Sequence, residues 1–474
     1  MDQDTTPVLD AIEQYRDEGD YTFALPGHRL GKGIDERTAA VLSRGAFAAD
    51  VITAKQVVGD AEKLFAEAVG ARDVIFTTCG SSISMHTAML TLIGPGKKIL
   101  ADRNVHKSVV ASLIMAGAEP IWLRPRWDHR RQIAHPATVG DVEAALAADP
   151  DISAVLVITP TEYGCGADVR GIADVCHERG LPLLVDEAWG AHFAFHDGLP
   201  TAAVRAGADL VVQSLHKAGG GLCQASMIQV GGDLVDPVDL RLRLDLITTT
   251  SPSALFYGSI DGFRRHMVGH GRRLLDAALD RAGRLRTRLS RVPGLSVMDA
   301  SIMDEDGVAE WDPLKLSVDV SGLGITGYQA KEWLQTEKRL TVQLGDARRV
   351  VCSLTYADDE AAFERLTGAL EELAAKPPRP DRPGPHIPAM EDFDLEQAMN
   401  PREAFFAETE QVADPVGRIS AEMISPYPPG VPAILPGERF NAEVVEYLRA
   451  GLAAGMVLPD AADPELSTFR VVRA

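Results

Sequence analysis

Between about residue 57 and residue 251, the chain alternates short apolar runs with amphipathic stretches. The runs "DVIFTT", "KKILAD", "AEPIWLR", "ISAVLVITP", "LPLLVDEA" and "ADLVVQS" predict buried strands. The stretches "DAEKLFAEAVG", "HKSVVASLIMAG" and "VRGIADVCHERG" predict helices, the first with Leu64, Phe65 and Ala68 on one face and Gly70 as its C-cap. This alternation predicts a doubly wound, mainly parallel α/β sheet, whose ligands bind beyond the carboxyl ends of the strands.

The pattern changes twice after this predicted large domain of residues 57–251, which a segment of residues 1–56 precedes. Long helices ("HGRRLLDAALDRAGRLRTRLS") and a few strands ("LKLSVDV", "RRVVCSLTY") predict a smaller α/β domain over residues 252–375. The run "KPPRPDRPGPHIP" has too much proline for a helix or a central strand, and it predicts a linker over residues 376–391. Residues 392–474 then form a predicted C-terminal α+β domain.

The charge balance disfavours two classes of partner. The 474 residues include 68 Asp and Glu against 47 Lys and Arg, a formal net charge of -21. Such a field disfavours nucleic acid and anionic membranes, and it favours approach of a cationic small molecule. A generally acidic, solvated surface explains the same charge equally well.

Cysteine usage and the N-terminus predict a cytoplasmic protein without a metal site. The five cysteines are scattered and form no C-x-x-C pair, which indicates neither a disulfide framework nor structural zinc. The N-terminus is polar and acidic rather than signal-like, and no apolar run reaches the ~18 residues of a membrane span. The cysteines are Cys79, Cys165, Cys176, Cys223 and Cys352.

Polar residues follow the first two predicted strands. Gly80, Ser81 and Ser82 come where "IFTTCGSSISMH" turns from strand to helix, so backbone N-H groups and hydroxyls there form a cradle for a phosphate or carboxylate. An ordinary serine N-cap is the competing interpretation. His106 follows the next strand, where a histidine serves either catalysis or helix capping.

The fifth and sixth predicted strands end in an aspartate and a lysine. Asp186 follows four apolar residues, so its carboxylate needs a cation nearby unless it caps a helix. Lys217 lies one strand-helix-strand step further along, which brings both side chains to one edge of the sheet. A lysine whose pKa is lowered by burial condenses with an aldehyde to form a Schiff base, and an aspartate facing a pyridine nitrogen keeps that ring protonated.

Together these residues fit pyridoxal 5'-phosphate. His106 stacks on the pyridine ring in this interpretation, and Gly219 to Gly221 let the backbone and the cofactor approach each other, unless they form a flexible surface loop. Nucleotide enzymes fit less well, because no G-x-G-x-x-G follows the first strand and "GPGKKIL" lacks the spacing of a P-loop. The predicted phosphate donors are Ser81, Ser82, Ser214 and His216.

The motifs resemble a known family in their order and spacing. The stretches "TCGSSISMHTAML", "DRNVHKSVV", "TPTEYGCGADVRGIADVCHERGLPLLVDEAWGAHF", "SLHKAGGGLCQASM", "TTTSPS" and "GRISAEMISPYPPGVP" resemble the bacterial ornithine/lysine/arginine decarboxylases of the fold-type-I pyridoxal-phosphate superfamily. The resemblance covers nearly the whole chain, including "LPGH" near the start. The S-x-H-K element with an upstream D-x-A is typical of the superfamily, and "DRNVHKS" and "PYPPG" narrow it to this family.

The resemblance implies roles for the site residues. Lys217 carries the cofactor, Asp186 partners the ring nitrogen, and His106 and Ala188 lie on opposite faces of the ring. Ser81, Ser82, Ser214 and His216 hold the phosphate, and Thr161 joins the cofactor contacts. The family's active sites lie at a homodimer interface, so the resemblance also implies that Thr250 or Ser251 reaches the neighbouring subunit's phosphate.

The implied activity is decarboxylation of a basic amino acid to an amine and CO2, with arginine favoured over lysine and ornithine. Lys217 or His216 then protonates the α-carbon, and His28 and Glu422 are candidates for holding the distal cation. The chain departs from many relatives at Glu162, in "TEYG" where they read "TYDG", and at Gly219 or Gly220, where they carry a larger residue. These departures keep two alternatives open: transamination, or oxygen-dependent oxidation with the same cofactor. A non-catalytic protein is a third, which the intact Lys217, Asp186 and His106 disfavour.

Overall fold

The computed structural model describes residues 21–29, 31–44, 55–379, 395–426 and 430–473. The strands are β1 Tyr21–Phe23, β2 Asp73–Thr77, β3 Lys98–Asp102, β4 Glu119–Leu123, β5 Arg126–Asp128, β6 Ile133–His135, β7 Ile152–Ile158, β8 Cys165–Gly166, β9 Leu183–Asp186, β10 Leu210–Ser214, β11 Ser226–Val230, β12 Ser296–Val297, β13 Glu310–Trp311, β14 Lys315–Asp319, β15 Leu340–Val342, β16 Leu344–Gly345, β17 Arg349–Ser353, β18 Thr409–Val412 and β19 Phe469–Val472.

Helices connect and cover these strands, and three short 3-10 turns add to them at Phe193–Phe195, Ala300–Asp304 and Ser321–Leu323. The α-helices are α1 Glu36–Arg44, α2 Lys55–Val69, α3 Gly80–Leu92, α4 Lys107–Ala116, α5 Val139–Ala148, α6 Val169–His177, α7 Ala203–Ala206, α8 Pro237–Ile247, α9 Ala254–Leu289, α10 Gly327–Lys338, α11 Glu360–Ala375, α12 Pro401–Phe406 and α13 Ala442–Ala454.

A seven-stranded sheet in the order β2-β11-β10-β9-β7-β3-β4 forms the centre of the large unit. All neighbours pair in parallel except β11, which runs antiparallel to both β10 and β2. Alternate residues of a strand face opposite sides: Ile99 packs in the core with α3 and α4, whereas Leu100 packs in the core with α5 and α6. The predicted α/β sheet between two helical layers is confirmed.

The predicted strands and helices of the large unit all form, and the one detailed error concerns the face of α2. Leu64 is 50% exposed, so its predicted place on the buried face is wrong. The buried face is Phe65, Ala66 and Val69 with Glu62, whose carboxylate accepts a hydrogen bond from Phe76 N at 2.8 Å. Glu62 can therefore lie on the buried face of α2, because the backbone N-H of Phe76 in the edge strand β2 donates a hydrogen bond to its carboxylate.

Several parts of this unit were not predicted, among them β8, α7, α8 and those that follow. Strand β11 follows the glycine-rich loop after Lys217 and is wholly buried. The β5-β6 hairpin and helix α5 lie between β4 and β7, and α5 begins with a complete capping box in which Thr138 and Asp141 satisfy each other's backbone N-H groups.

A smaller unit follows, built on α9 and a four-stranded antiparallel sheet in the order β12-β14-β17-β16. The N-terminal segment joins it, because β1 pairs in parallel with β15. Arg29 reinforces this connection through a buried ion pair with Asp358, with 2.7 Å between Nε and Oδ1. The segment "LPGH" is thereby fixed against the small unit, on the side that faces the large sheet.

The C-terminal unit packs around its own core of α13 and the antiparallel pair β18-β19. Two ion pairs attach it to the carboxyl edge of the large sheet: Arg103 to Glu438 at 2.8 Å and Lys107 to Asp460 at 2.8 Å. The predicted domain boundaries stay predictions, and most of the predicted proline-rich linker lies outside the described residues.

The structure also bears on the membrane, metal and cysteine predictions. Among the described residues, no helix is both long and apolar enough to cross a membrane, and no group of three or more His, Cys, Asp or Glu side chains has an arrangement that would bind a metal ion. All five cysteines are unpaired.

Candidate active site

The N-terminus of α3 forms an anion cradle beside the end of β10. The N-cap position, Cys79, makes no side-chain capping bond, so the helix has no serine cap. Ser81 and Ser82 instead occupy the first turn, and the Ser214 hydroxyl donates to Ser81 Oγ at 2.7 Å. A helix N-terminus with hydroxyl groups and uncapped N-H groups attracts a phosphate.

Asp186 ends β9, in register with Val212 of the adjacent β10. The strand continues into a turn rather than a helix, so Asp186 does not cap a helix. Among the described residues, its carboxylate accepts one hydrogen bond, from Ala188 N at 3.1 Å. Burial raises the pKa of Asp186, and the nearby Lys217 opposes that rise. The carboxylate therefore keeps acceptor capacity for a cationic partner.

Lys217 lies just beyond β10, on the same edge of the sheet. Burial lowers the pKa of its ammonium to about 8, and the carboxylates of Asp186 and Glu162 limit the fall. Its Nζ lies 3.9 Å from the centroid of the Trp189 ring. A lysine with this pKa is partly neutral near physiological pH, which a nucleophilic amine requires.

His106 and His216 are both neutral at physiological pH. Burial lowers the pKa of each imidazole to about 4, and the charge of Lys217 contributes to both shifts. His106 is the N-cap of α4, where its Nδ1 accepts from Ser108 N at 3.3 Å. The capping role that competed with catalysis is therefore present.

The three glycines after Lys217 are buried, so they do not form a flexible surface loop. A Cβ on Gly219 would lie 2.6 Å from Leu215 O, and one on Gly220 would meet the Tyr356 hydroxyl and Gly33 O. The close approach that requires glycine is thus to the protein's own backbone and to the N-terminal segment. Gly27 of that segment packs in the same way against Lys217 O.

Two further predicted cofactor residues lie at this edge. Ala188 is buried in the turn after Asp186. Thr161 is 1% exposed, and its hydroxyl accepts a hydrogen bond from Cys165 N at 3.3 Å, so it fixes the "TEYG" turn after β7.

Four predicted residues are not joined to this cluster. His28 is half-buried, and its Nδ1 accepts from Gly31 N at 3.1 Å. Glu422 is buried in the C-terminal unit. Thr250 and Ser251 are exposed after α8, as a segment directed at a neighbouring subunit would be. Their predicted roles in substrate or cofactor binding stay predictions.

Sequence reasoning missed two residues of the site. The Trp189 ring contacts two lysine side chains, and Lys315 at the start of β14 is the second of them, with its Nζ 3.6 Å from the Trp189 ring centroid. Lys315 begins an apolar strand, whereas Lys217 follows one, so the signal that identified Lys217 does not identify Lys315. Glu162 was noted as a departure from the family pattern, and burial raises the pKa of its carboxyl, opposed by Lys315 and Lys217.

This fold is that of the fold-type-I pyridoxal-phosphate enzymes. Lysine decarboxylase A from Pseudomonas aeruginosa matches with a TM-score of 0.71 over 98% of this chain and 80% of that chain, at 21% identity. Serine palmitoyltransferase from Sphingomonas wittichii matches with a TM-score of 0.56 over 78% and 96%, at 18% identity. These two likenesses concern the fold alone.

The chain belongs to the Orn/Lys/Arg decarboxylase family of amino acid carboxy-lyases. The model of the family's major domain matches residues 6–362, and that of its C-terminal domain matches residues 387–460. Among curated proteins, the chain is similar to an arginine decarboxylase from Halalkalibacterium halodurans, with 35% identity over 99% of this chain and 98% of that protein.

Proposed function

We propose that this protein is a pyridoxal-phosphate-dependent arginine decarboxylase, which converts arginine to agmatine and CO2. The observation that carries the proposal is Lys217, a buried lysine with a pKa of about 8, on the same sheet edge as Asp186 and the serine cradle. The choice of arginine as the substrate rests on the full-length similarity of this chain to a protein named arginine decarboxylase.

The residues at this edge fit the cofactor by charge and by donor type. The α3 N-terminus, with Ser81, Ser82 and Ser214, offers donors to a phosphate. Asp186 offers a carboxylate with open acceptor capacity to a protonated ring nitrogen, and Lys217 offers an amine to an aldehyde. In this proposal His106 and Ala188 contact the two faces of the ring, and His216 and Thr161 complete its surroundings.

Pyridoxal phosphate, when bound, supplies an electron sink for the bonding pair that remains on the α-carbon as CO2 departs. The chain's own residues set the conditions for that loss. Asp186 keeps a positive charge on its partner because its own carboxylate is buried next to few competing donors. His106 and His216, neutral at physiological pH, add no cation that would repel the guanidinium of arginine.

A second copy of the chain completes the site in this proposal. Val238, Leu242 and Leu246 form an apolar stripe on α8 and are 56 to 76% exposed. The stripe leads directly to the exposed Thr250 and Ser251. Burial of such a stripe against a second copy would remove apolar surface from water and bring this segment towards the partner's phosphate cradle. We expect this homodimer to act in the cytoplasm.

The test is product analysis of the cofactor-loaded protein with arginine, lysine and ornithine, in air and without oxygen. We expect agmatine and CO2 in equal amounts from arginine under both conditions, with slower turnover of the other two substrates. Lys217→Ala is the matched control, since it removes the reactive amine, and it should form no product.

Two results would replace the proposal. A keto acid or aldehyde product, or uptake of oxygen, would assign the chain to the transamination or oxidation chemistry that the altered "TEYG" turn leaves open. Cadaverine or putrescine as the faster product would keep decarboxylation and overturn arginine as the substrate.

A further inference from the structure

A second buried lysine, Lys315, lies in the site from the side of the small unit. It begins β14, and its Nζ lies 3.6 Å from the centroid of the Trp189 ring, while Lys217 Nζ lies 3.9 Å from the same centroid. Lys217 Nζ and Lys315 Nζ therefore lie within about 7.5 Å of each other. The small unit thus contributes an amine that contacts the same ring as the proposed cofactor lysine.

Lys315 has only neutral hydrogen-bond partners. Its Nζ donates to Gln343 Oε1 at 3.0 Å and to Ser353 Oγ at 2.8 Å. Within the described part of the chain, no carboxylate oxygen lies within 4.0 Å of this nitrogen. Because a buried ammonium without a carboxylate in direct contact is costly, an anion bound beside Lys315 would be stabilised.

We propose that Lys315 binds the α-carboxylate of the amino acid substrate and gives its proton to the α-carbon after that carboxylate has left as CO2. This inference rests on the proposed decarboxylase function. It assigns a catalytic residue on the small unit, whereas the residues proposed for the cofactor lie on the large sheet.

The identity of the anion follows from the arrangement of donors. Besides the cofactor's phenolate oxygen, whose charge would be offset by the proton on the adjacent amine-derived nitrogen, two anionic groups would enter this site, the cofactor's phosphate and the substrate's carboxylate. The phosphate has its own donors at the α3 N-terminus, where Ser81 and Ser214 are hydrogen-bonded to each other. The guanidinium of arginine is a cation and is repelled by an ammonium. The α-carboxylate is therefore the group that Lys315 can neutralise.

Charged groups on several elements set the protonation of Lys315. Burial lowers its pKa to about 7; Asp312 and Glu162 raise it, whereas Lys217 and Arg29 lower it. Behind this group, Asp312 faces the buried His192, with 3.5 Å between Oδ2 and Nε2. Arg286 donates to two backbone carbonyls, Lys315 O at 2.8 Å and Met298 O at 3.2 Å, and its guanidinium lies over the Trp311 ring.

The reaction then balances in charge and protons. A bound carboxylate raises the pKa of Lys315 and keeps it as an ammonium. When the bond between the α-carbon and the carboxylate carbon breaks, CO2 leaves without the bonding pair, which stays with the α-carbon. Loss of the anion lowers the pKa of Lys315 again, and its proton forms the new C-H bond. Solvent returns a proton to the neutral amine before the next turnover.

The first experiment compares Lys315→Met with the wild type, both loaded with cofactor. The absorbance change of the cofactor gives the dissociation constant for arginine, from the concentration dependence of the first stopped-flow phase, and for agmatine at equilibrium. Agmatine lacks the carboxylate. We expect the arginine constant to rise about tenfold to a hundredfold, the range of a lost charge-assisted hydrogen bond, and the agmatine constant to change less than twofold.

Lys315→Arg separates binding from proton transfer. It keeps a cation, but a guanidinium is not deprotonated in proteins and does not release a proton. We expect arginine binding close to that of the wild type and a turnover number lowered by about 10² or more. We also expect turnover of the wild type to fall at high pH, as Lys315 loses its proton, and this fall to be absent in Lys315→Arg. Lys331→Met is the matched control: this half-buried lysine of α10 also has a pKa lowered by burial, and its loss should change none of these values.

The outcomes separate this inference from the proposed function. If Lys315→Met binds arginine as tightly as the wild type, or if Lys315→Arg turns over at the wild-type rate, the role of Lys315 is wrong. If the wild type forms no amine and CO2, the proposed function fails instead. Should the methionine variant not fold, Lys315→Gln, which still bonds to Ser353, gives the same comparison of arginine with agmatine.

Discussion

The carboxyl edge of the large sheet and the C-terminal unit each bury a carboxyl group, and the two groups are used differently. Burial raises the pKa of both Asp186 and Glu422. Asp186 accepts one hydrogen bond from Ala188 N, whereas the two oxygens of Glu422 accept from Ala462 N at 2.7 Å and Arg470 N at 2.6 Å. Burial and a shifted pKa therefore do not identify a site; open hydrogen-bonding capacity at the sheet edge does.

Glu187, the residue next to Asp186, also shows that burial and a shifted pKa do not identify a site. Burial raises the pKa of Glu187 to about 8, yet one of its oxygens accepts from Ala203 N at 2.8 Å and the other from the Gln213 amide. Glu187 joins the turn after β9 to the start of α7. Of these two adjacent acids, Asp186 thus belongs to the candidate site and Glu187 to the scaffold that supports it.

The largest expected effect is on turnover by Asp186→Asn. An amide cannot hold a positive charge on the cofactor ring, so we expect the turnover number for arginine to fall by about 10² to 10⁴. Steady-state kinetics of the cofactor-loaded protein measure this. Glu422→Gln is the control and should stay within about threefold of the wild type; equal losses in both variants would remove the distinction between the two acids.

The next effect is on the free energy of unfolding, for which Glu422 rather than Asp186 is the important acid. Glu422→Ala leaves two backbone N-H groups without their acceptor, at a cost of about 1–3 kcal/mol each. Urea unfolding should therefore show a loss of a few kcal/mol for this variant. An unchanged unfolding midpoint would mean that water replaces the carboxylate and that Glu422 is not a structural acid.

Lys217→Met should stabilise the cofactor-free protein at pH 7. The pKa of Lys217 is about 8 in the folded chain against 10.5 for an ordinary lysine, so the unfolded chain binds more protons between these values. Wild-type stability therefore rises with pH across that window, and the cost of burying Lys217 is complete below it. We expect a gain of about 1–3 kcal/mol at pH 7 that falls below about 1 kcal/mol at pH 10. Thermal unfolding at both pH values checks this, and a destabilised variant at pH 7 would contradict it.

The smallest expected effect is that of Leu64→Gln in α2. Leu64 is exposed and Phe65 is fully buried, although the apolar pattern placed both on one face. Leu64→Gln should change the free energy of unfolding by less than about 0.5 kcal/mol, whereas Phe65→Ala should cost about 3–5 kcal/mol. A larger loss of unfolding free energy in Leu64→Gln would mean that Leu64 lies on the buried face of α2, as the sequence pattern predicted.

The large sheet was predictable because each of its parallel strands is a short apolar run next to an amphipathic helix. Ser81, Asp186, Ser214 and Lys217 were predictable for the same reason, since the carboxyl ends of such strands share one edge. Strand β11 was missed because it is antiparallel and its place depends on pairing with both β2 and β10.

Residues contributed by other units were harder to predict. Lys315 reaches the site only through the packing of β14 against the turn that holds Trp189, and no local pattern encodes that contact. The glycines after Lys217 were recognised as a place of close approach, but the partners turned out to be the Leu215 carbonyl and the N-terminal segment. Local sequence patterns predict where a strand ends, whereas long-range packing determines which residues of other units contact that end.

The most direct test of the account is reductive trapping of the cofactor. The protein is loaded with pyridoxal phosphate, reduced with borohydride and digested, and the modified peptide is sequenced by mass spectrometry. The account predicts a single pyridoxyl group on Lys217, and none in Lys217→Ala. Modification of Lys315 instead, or of no lysine at the sheet edge, would contradict it.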